Sequence, residues 1–260
     1  MSDRILPFDG SHLPVWATVT QSYRWIRDHR RLLALPMALL IATEFLQESL
    51  SARLLPDAWE KILSAVVLAL VDGAFCVGLH RTIILDDVRP GFAFLRWGFE
   101  LWRYLKTGLI ATLGVILIGA AVLLPLGAVM GGVDFKPEKL ILVVGITALP
   151  ILYLAARLFL ALPAAALGRD KVFALAWRAS KGNALRIFAI LILTVFIPAV
   201  ISGLLEVPAS WSKNETLAAV CSLLSSALDV LGTALSTAAL SFSYRMLMTQ
   251  RATHTSIAPQ

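Results

Sequence analysis

The sequence predicts an all-α integral membrane protein of about six transmembrane helices, and three observations carry that prediction. Apolar residues make up 58% of the 260-residue chain and charged residues only 15%, against roughly 45–50% (with Gly counted) and about 25% in soluble domains. Six apolar runs are each long enough to cross the hydrocarbon, which takes about 20 residues. Basic residues gather on alternate connections between those runs. The mean hydropathy of +0.78 agrees. In water so apolar a chain would expose large adhesive patches, whereas acyl chains solvate the same side chains without cost.

The runs cover 31–50, 61–85, 107–131, 139–167, 184–207 and 216–248. Short turns join the first to the second near Pro56-Asp57, the third to the fourth through Gly131 to Glu138, and the fifth to the sixth through Pro208 to Glu215. Connections 86–106 and 168–183, like residues 1–30, are longer and rich in Arg, Lys and Trp. That side holds 17 of the 23 Lys and Arg. The other side holds five (Arg53, Lys61, Lys136, Lys139 and Lys213), and Arg157 lies within a run. By the positive-inside rule the 17-base side is cytoplasmic, so both termini are expected there. The organisation expected is a cytoplasmic tail over 1–30 with an amphipathic helix, a six-helix membrane domain over 31–249, and a short cytoplasmic tail over 250–260. Residues 1–30 have no continuous apolar stretch of the signal-peptide kind, so targeting is expected to rest on the first transmembrane helix.

The net charge is +6. Its bases flank apolar segments and form no separate basic domain, so anionic lipid of the inner leaflet is the expected partner and nucleic acid is not. Cys76 and Cys221 both sit inside apolar runs, where thiols serve as core packing. The histidines (His12, His29, His80 and His254) lack metal-ligand spacing, and no nucleotide-binding glycine motif occurs. No cofactor, metal or catalytic activity is expected.

Three units share a plan of amphipathic basic segment, helix outward, short turn and helix back. The amphipathic segments are Val15 to Arg31, Phe92 to Lys106 and Val172 to Arg186, with Arg24 beside Trp25, Arg96 beside Trp97 and Trp177 beside Arg178. Each returning helix carries an arginine late in its course: Arg81, Arg157 and Arg245. The pattern reads as three helical hairpins, each preceded by an interfacial amphipathic helix. The plainer alternative is that membrane proteins generally place arginine and tryptophan at the cytoplasmic interface. Arg24, Trp25, Arg96, Trp97, Trp177, Arg178 and Lys181 are the candidate lipid-interface residues. Indoles at headgroup depth and bases against anionic phosphate would form a collar, each base contributing about 1 kcal/mol. Such a collar either recognises lipid or only anchors the bundle.

The stretch from Arg157 to Pro163, followed by Ala176-Trp177-Arg178-Ala179-Ser180-Lys181-Gly182-Asn183, resembles the polytopic membrane domain fused to some bacterial glycerophosphodiester phosphodiesterases, and related stand-alone bacterial inner-membrane proteins of uncharacterised function. In that family an arginine in a helix precedes an apolar stretch with proline, then a W-x-x-[ST]-K-G-N element, which Trp177, Ser180, Lys181, Gly182 and Asn183 match. The segment from His80-Arg81 through Trp102-Arg103 is similar to its counterpart in the preceding unit, and the likeness covers residues 14–250. It implies a place in the bacterial cytoplasmic membrane. With the last apolar run ending at 248 and Gln260 soon after it, no attached phosphodiesterase barrel is expected. His80-Arg81-Thr82 lacks the glycine of that enzyme class's His-Arg-Gly, and no metal-binding carboxylate motif follows it. The resemblance thus implies the membrane module alone, without phosphodiesterase activity.

Ionisable groups inside the hydrocarbon cost about 2.5–3.5 kcal/mol each on insertion scales, so each needs a reason. At 1.5 Å per residue, Asp72 and Asp229 fall roughly 18–20 Å in from the outer ends of their helices, near or just below the midplane. Glu44 lies at a similar distance from the inner end of the first helix, and Arg157 nearer the cytoplasm, with Pro163 beyond it able to end the straight helix. These four form a candidate intramembrane polar site. Asp72 and Asp229 could line a path for protons or cations along the hydroxyl-rich sixth helix, with its Ser222, Ser225, Ser226, Thr233, Ser236 and Thr237. The same groups could instead bridge packed helices, which is the preferred reading. Gly127 and Gly131 form a GxxxG helix-packing spacing, and Glu48 and Glu206 sit near helix ends where no special role is expected. The function expected is a non-enzymatic membrane module contacting lipid or a protein partner in the membrane. The alternative is a small transporter or channel using Asp72 and Asp229. A lipid enzyme ranks last, His80 with Asp86 and Asp87 being its nearest candidate residues.

Overall fold

Helices account for every regular element among the described residues, which in this computed structural model are 12–53, 58–130, 150–211 and 214–257. In chain order they are α1 (Val15–Asp28), α2 (Arg30–Arg53), α3 (Ala58–Leu85), a 3-10 turn (Gly91–Phe94), α4 (Phe99–Met130), α5 (150–159), α6 (Ala161–Ala166), α7 (Val172–Ala179), α8 (Ala184–Trp211) and α9 (Glu215–Ile257). Four contain stretches long and apolar enough to cross a membrane: Lys61–Leu85, Phe99–Val122, Ala184–Val207 and Glu215–Thr249. A helix is the natural form for such a run, because it satisfies its own backbone groups where lipid offers no partner.

The described residues therefore hold four helices of spanning character, not six. The first apolar run does fold as α2, but it turns polar from Gln47 onward through Glu48, Ser49, Ser51 and Arg53. The fourth run lies partly outside the described residues, and its described part is a shorter apolar stretch, Pro150–Ala166. That stretch is broken at Leu160, and Pro163 falls in the first turn of α6, where its missing N–H costs no helical hydrogen bond. The turns at Pro56-Asp57 and Gly131 to Glu138 lie outside or largely outside the described residues, as do Gly131 of the GxxxG pair and part of the Pro208 to Glu215 turn. At the C-terminal end α9 runs on helically to Ile257, into what reads from sequence as a tail.

The amphipathic segments depart from three continuous in-plane helices. Val15 to Arg31 is α1 followed by a break at His29, and its apolar stripe (Val19, Trp25, Ile26) is buried together with Thr18 and Ser22. Val19 packs with Ile190 of α8 and Ala239 of α9. Phe92 to Lys106 divides into the 3-10 turn, an extended stretch at Leu95 and the first turns of α4. Val172 to Arg186 divides into α7 and the start of α8, at a turn where Gly182 adopts φ +80°.

Two apolar clusters meet on α9. One joins α1, α2, α3, the 3-10 turn and α4 through Trp25, Leu40, Phe75, Leu79, Phe94 and Leu235. The other joins α5, α6, α7 and α8 through Leu160, Ala164, Ala176, Ile187 and Tyr244. The 3-10 turn lies directly on α3: the Arg96 N–H donates to the Ala74 carbonyl at 3.2 Å. A Cβ at Gly78 would collide with the Phe94 carbonyl oxygen, which is backbone and cannot move aside. Gly78→Ala is therefore expected to destabilise by about 2–3 kcal/mol. Gly203→Ala, where an added Cβ meets nothing within 4 Å, should stabilise α8 by about 0.5–1 kcal/mol. Thermal unfolding in detergent separates the two, and equal melting temperatures would contradict the close approach.

Candidate functional site

Asp72, Cys76 and His80 are spaced four residues apart and so share one face of α3. That face meets a hydroxyl row on α9. The Cys76 thiol lies 3.4 Å from Thr237 Oγ1 and donates to Asp72 Oδ1 at 3.8 Å, and His80 Nδ1 lies 2.7 Å from Ser241 Oγ. Because the Ser241 hydroxyl gives its single proton to the Thr237 carbonyl at 2.8 Å, the proton between Ser241 and His80 belongs to Nδ1. His80 Nε2 is buried with no partner among the described residues.

Beside this row lies a cavity of about 520 Å³ bounded by α3, α4, α5, α6, α8 and α9. Its polar wall is Asp72, Cys76, Tyr104, Thr233, Ser236 and Thr237, and the rest is apolar. Leu152, Ile192, Val195 and Phe196 line it while remaining 40–61% exposed. The cavity thus opens sideways, at the middle of the apolar stretch of α8.

A second cavity, of about 430 Å³, is lined by Glu44, Gln47, Leu68, Glu206, Ser225, Ser226 and Asp229. Ser202 donates to Asp229 Oδ2 at 3.3 Å and Ser225 to Glu206 Oε1 at 3.2 Å, the two hydroxyls also lying against each other. The candidate polar site is thereby divided: Asp72 lines one cavity, Glu44 and Asp229 the other. Glu206, which its place near a helix end made unremarkable in sequence, stands beside them. Among the described residues no group of three or more His, Cys, Asp or Glu is placed to hold a metal ion.

Arg157 belongs to neither cavity. Its Nε donates to Ser180 Oγ at 2.9 Å, one terminal nitrogen to the Trp177 carbonyl at 2.7 Å, and its guanidinium lies 3.6 Å from the centre of the Trp177 ring. Asn183 completes the same stretch. Its side-chain oxygen accepts from the Leu13 N–H at 2.8 Å, and Arg186 donates to the Leu13 carbonyl at 3.1 Å. The W-x-x-S-K-G-N element thus ties α5 to the turn before α8 and clasps the segment leading into α1. No local pattern could reveal the second contact, whose partners are 170 residues apart.

A further knot forms at the connection between α3 and α4. Asp87 accepts from Arg96 at 2.8 Å, from Arg81 at 3.3 Å and from Arg89 at 3.3 Å, and Arg81 also reaches Glu100 at 3.4 Å. Arg103 similarly holds the Gly168 carbonyl, which the left-handed turn after α6 (φ +71°) presents to it. His80 and Asp87 are engaged by different partners, Ser241 and the arginines. Of the candidate lipid-interface residues, Trp25 and Arg96 turn inward, Trp25 stacking on His29 at 4.2 Å. Arg24, Trp97, Trp177, Arg178 and Lys181 are exposed, together with Trp16 and Trp102.

Desolvation raises the Asp87 carboxyl, but the Arg96 hydrogen bond and charge, the Arg81 hydrogen bond and the Arg89 charge outweigh it and hold the group below the usual carboxylate range. Asp87→Asn strands the buried Arg96 and is expected to cost about 2–3 kcal/mol, less than the roughly 3–5 for a fully buried pair because Asp87 is 24% exposed. Since the folded-state value is depressed, this contribution is present well above the ordinary carboxylate value of about 4 and is lost as pH falls from there through the lower folded-state value. Melting curves should show the gap between wild type and variant closing at acid pH, and a gap independent of pH would refute the ion-pair account. Comparison of the chain with protein-family models, with curated proteins and with solved structures finds no match in any of the three.

Proposed function

We propose that this chain is a six-span protein of the bacterial cytoplasmic membrane that holds a lipid-like molecule in its sideways-opening cavity and catalyses no reaction on it. The observation that carries this reading is the position of the opening. Ile192, Val195 and Phe196 rim it at mid-depth of the apolar stretch of α8, where the surrounding medium is acyl chain. A concave, largely apolar space with a few convergent polar groups is the usual form of a small-molecule site. The exposed Trp97, Trp102 and Trp177, with Arg24, Arg178 and Lys181, support contact with an anionic inner leaflet.

The four helices of spanning character, α2 and the Pro150–Ala166 stretch together make room for six spans, and the distribution of 17 bases against five supports cytoplasmic termini. Three hairpins receive support from Arg81 and Arg157, each of which grips the connection that follows its own helix. Arg245 departs from that scheme by reaching back to the Ile83 carbonyl. The resemblance to the membrane domain of bacterial glycerophosphodiester phosphodiesterases points to the same location. A transporter acting through Asp72 and Asp229 would need one path past both acids. Their placement in separate cavities favours the lipid-holding reading.

Ala199 lines the cavity and is exposed, so Ala199→Trp should fill it without disturbing the interior. Native mass spectrometry of protein extracted in mild detergent should show co-purified lipid falling at least tenfold in that variant, and undiminished lipid would reject the cavity as its seat. For orientation, single cysteines at Val88 and Asn214, in a chain lacking Cys76 and Cys221, should react with an impermeant maleimide from opposite faces. Labelling from one face alone would reject the six-span arrangement.

A further inference from the structure

Asp72 stands out among the cavity's lining residues because no base answers it. Among the described residues the lining contains no Lys, Arg or His, and the carboxyl's hydrogen bond is to a thiol 3.8 Å away, a weak donor at the limit of contact. The side chain is only partly covered by protein, so its remaining surface faces the cavity. The other acids and arginines do not share this position. Asp87 accepts from three arginines, and Asp229 accepts from Ser202 in the second cavity. Around Asp72 the wall is apolar except for Cys76, Tyr104 and the hydroxyls of α9. In so apolar a setting an unanswered carboxylate strongly favours a cation brought beside it, because little water is present to screen the attraction.

Resting on the lipid-holding reading above, we propose that the ligand is a single-chain amphiphile with an ammonium head. The chain lies along the apolar wall made by α5 and α8, and the ammonium sits against Asp72 with the hydroxyls of Thr233 and Thr237 beside it. Size supports one chain. At about 30 Å³ for a water-sized group, and with a methylene of similar bulk, a cavity of about 520 Å³ takes a chain of some sixteen carbons with its head, so a second chain would have to stay outside the opening. Charge argues the same way, since the phosphate of a zwitterionic aminophospholipid would enter a cavity whose described lining offers it no cation.

The test uses the full chain in nonionic detergent and native mass spectrometry with four probes: hexadecylamine, hexadecanol, hexadecyl phosphate and a zwitterionic phosphoethanolamine lipid. The amine is expected to bind at least tenfold more tightly than the other three. Asp72→Asn, nearly isosteric, should abolish that preference while leaving the alcohol bound as before. Equal binding of amine and alcohol by the wild-type chain overturns the proposal and leaves the lipid-holding reading standing, and this comparison needs no variant. A preference for the phosphoethanolamine lipid overturns the single-chain assignment. A preference for the amine that survives Asp72→Asn overturns the role of that carboxyl. If no probe binds at all, the lipid-holding reading itself falls.

Discussion

Close approach to α9 holds α1, α2, α3, α6, α7 and α8 together. Ala234, Ala238, Ala239, Ser241 and Ser243 on this helix are fully buried, and so little side-chain bulk lets neighbouring helices come near. Helices surrounded by lipid gain nothing hydrophobic by leaving it for one another, so association rests on van der Waals packing and on hydrogen bonds between helices. The α9 surface provides both. Alanine gives contact without rotamer entropy to lose, and Thr237 and Ser241 meet Cys76 and His80 of α3. Larger residues along this row would push α3 and α8 outward and open the interior to acyl chains.

The arginines show a different resolution of the same constraint. A guanidinium carries five donors and holds its charge at any accessible pH, so one excluded from water must find several acceptors at once. Arg157 uses a hydroxyl, a carbonyl and an indole face, and Arg96 a carboxylate and a carbonyl. Charges expected at headgroups are partly spent on joining helices to the connections between them. The exposed bases and indoles are then left to meet the membrane surface.

Much of the architecture was legible in the sequence because it follows from one-dimensional patterns. The runs 61–85, 184–207 and 216–248 predict α3, α8 and α9 to within a few residues at most of their ends, since length and hydropathy are properties of contiguous segments. The run 107–131 predicts α4 less well at its start, because Phe99 to Lys106 continue the helix although they carry charge. Amphipathicity announced α1 but not its burial: the stripe of Val19, Trp25 and Ile26 suits a membrane surface and a protein groove equally well. Asp72 was visible as a costly charge, whereas its lining a different cavity from Asp229 was not, because that depends on which helices are neighbours. Cys76 and Tyr104 entered the cavity wall unannounced. The four-residue spacing of Asp72, Cys76 and His80 was the signal available for the first of them.

The clasp at Leu13 has a consequence in time. The segment leading into α1 leaves the ribosome well before its partners: Asn183 and Arg186, which hold its backbone, follow 170 residues or more behind. At bacterial and eukaryotic synthesis speeds of about 5–20 residues per second, that interval is on the order of ten to thirty seconds. For that long α1 has its apolar stripe but not its final groove between α8 and α9, and the bilayer surface is the adjacent medium that can shelter it. Its mixed character, indole and arginine on one short helix, equips it for such a wait. The groove that receives Val19 is complete only once Ile190 of α8 and Ala239 of α9 have both been made.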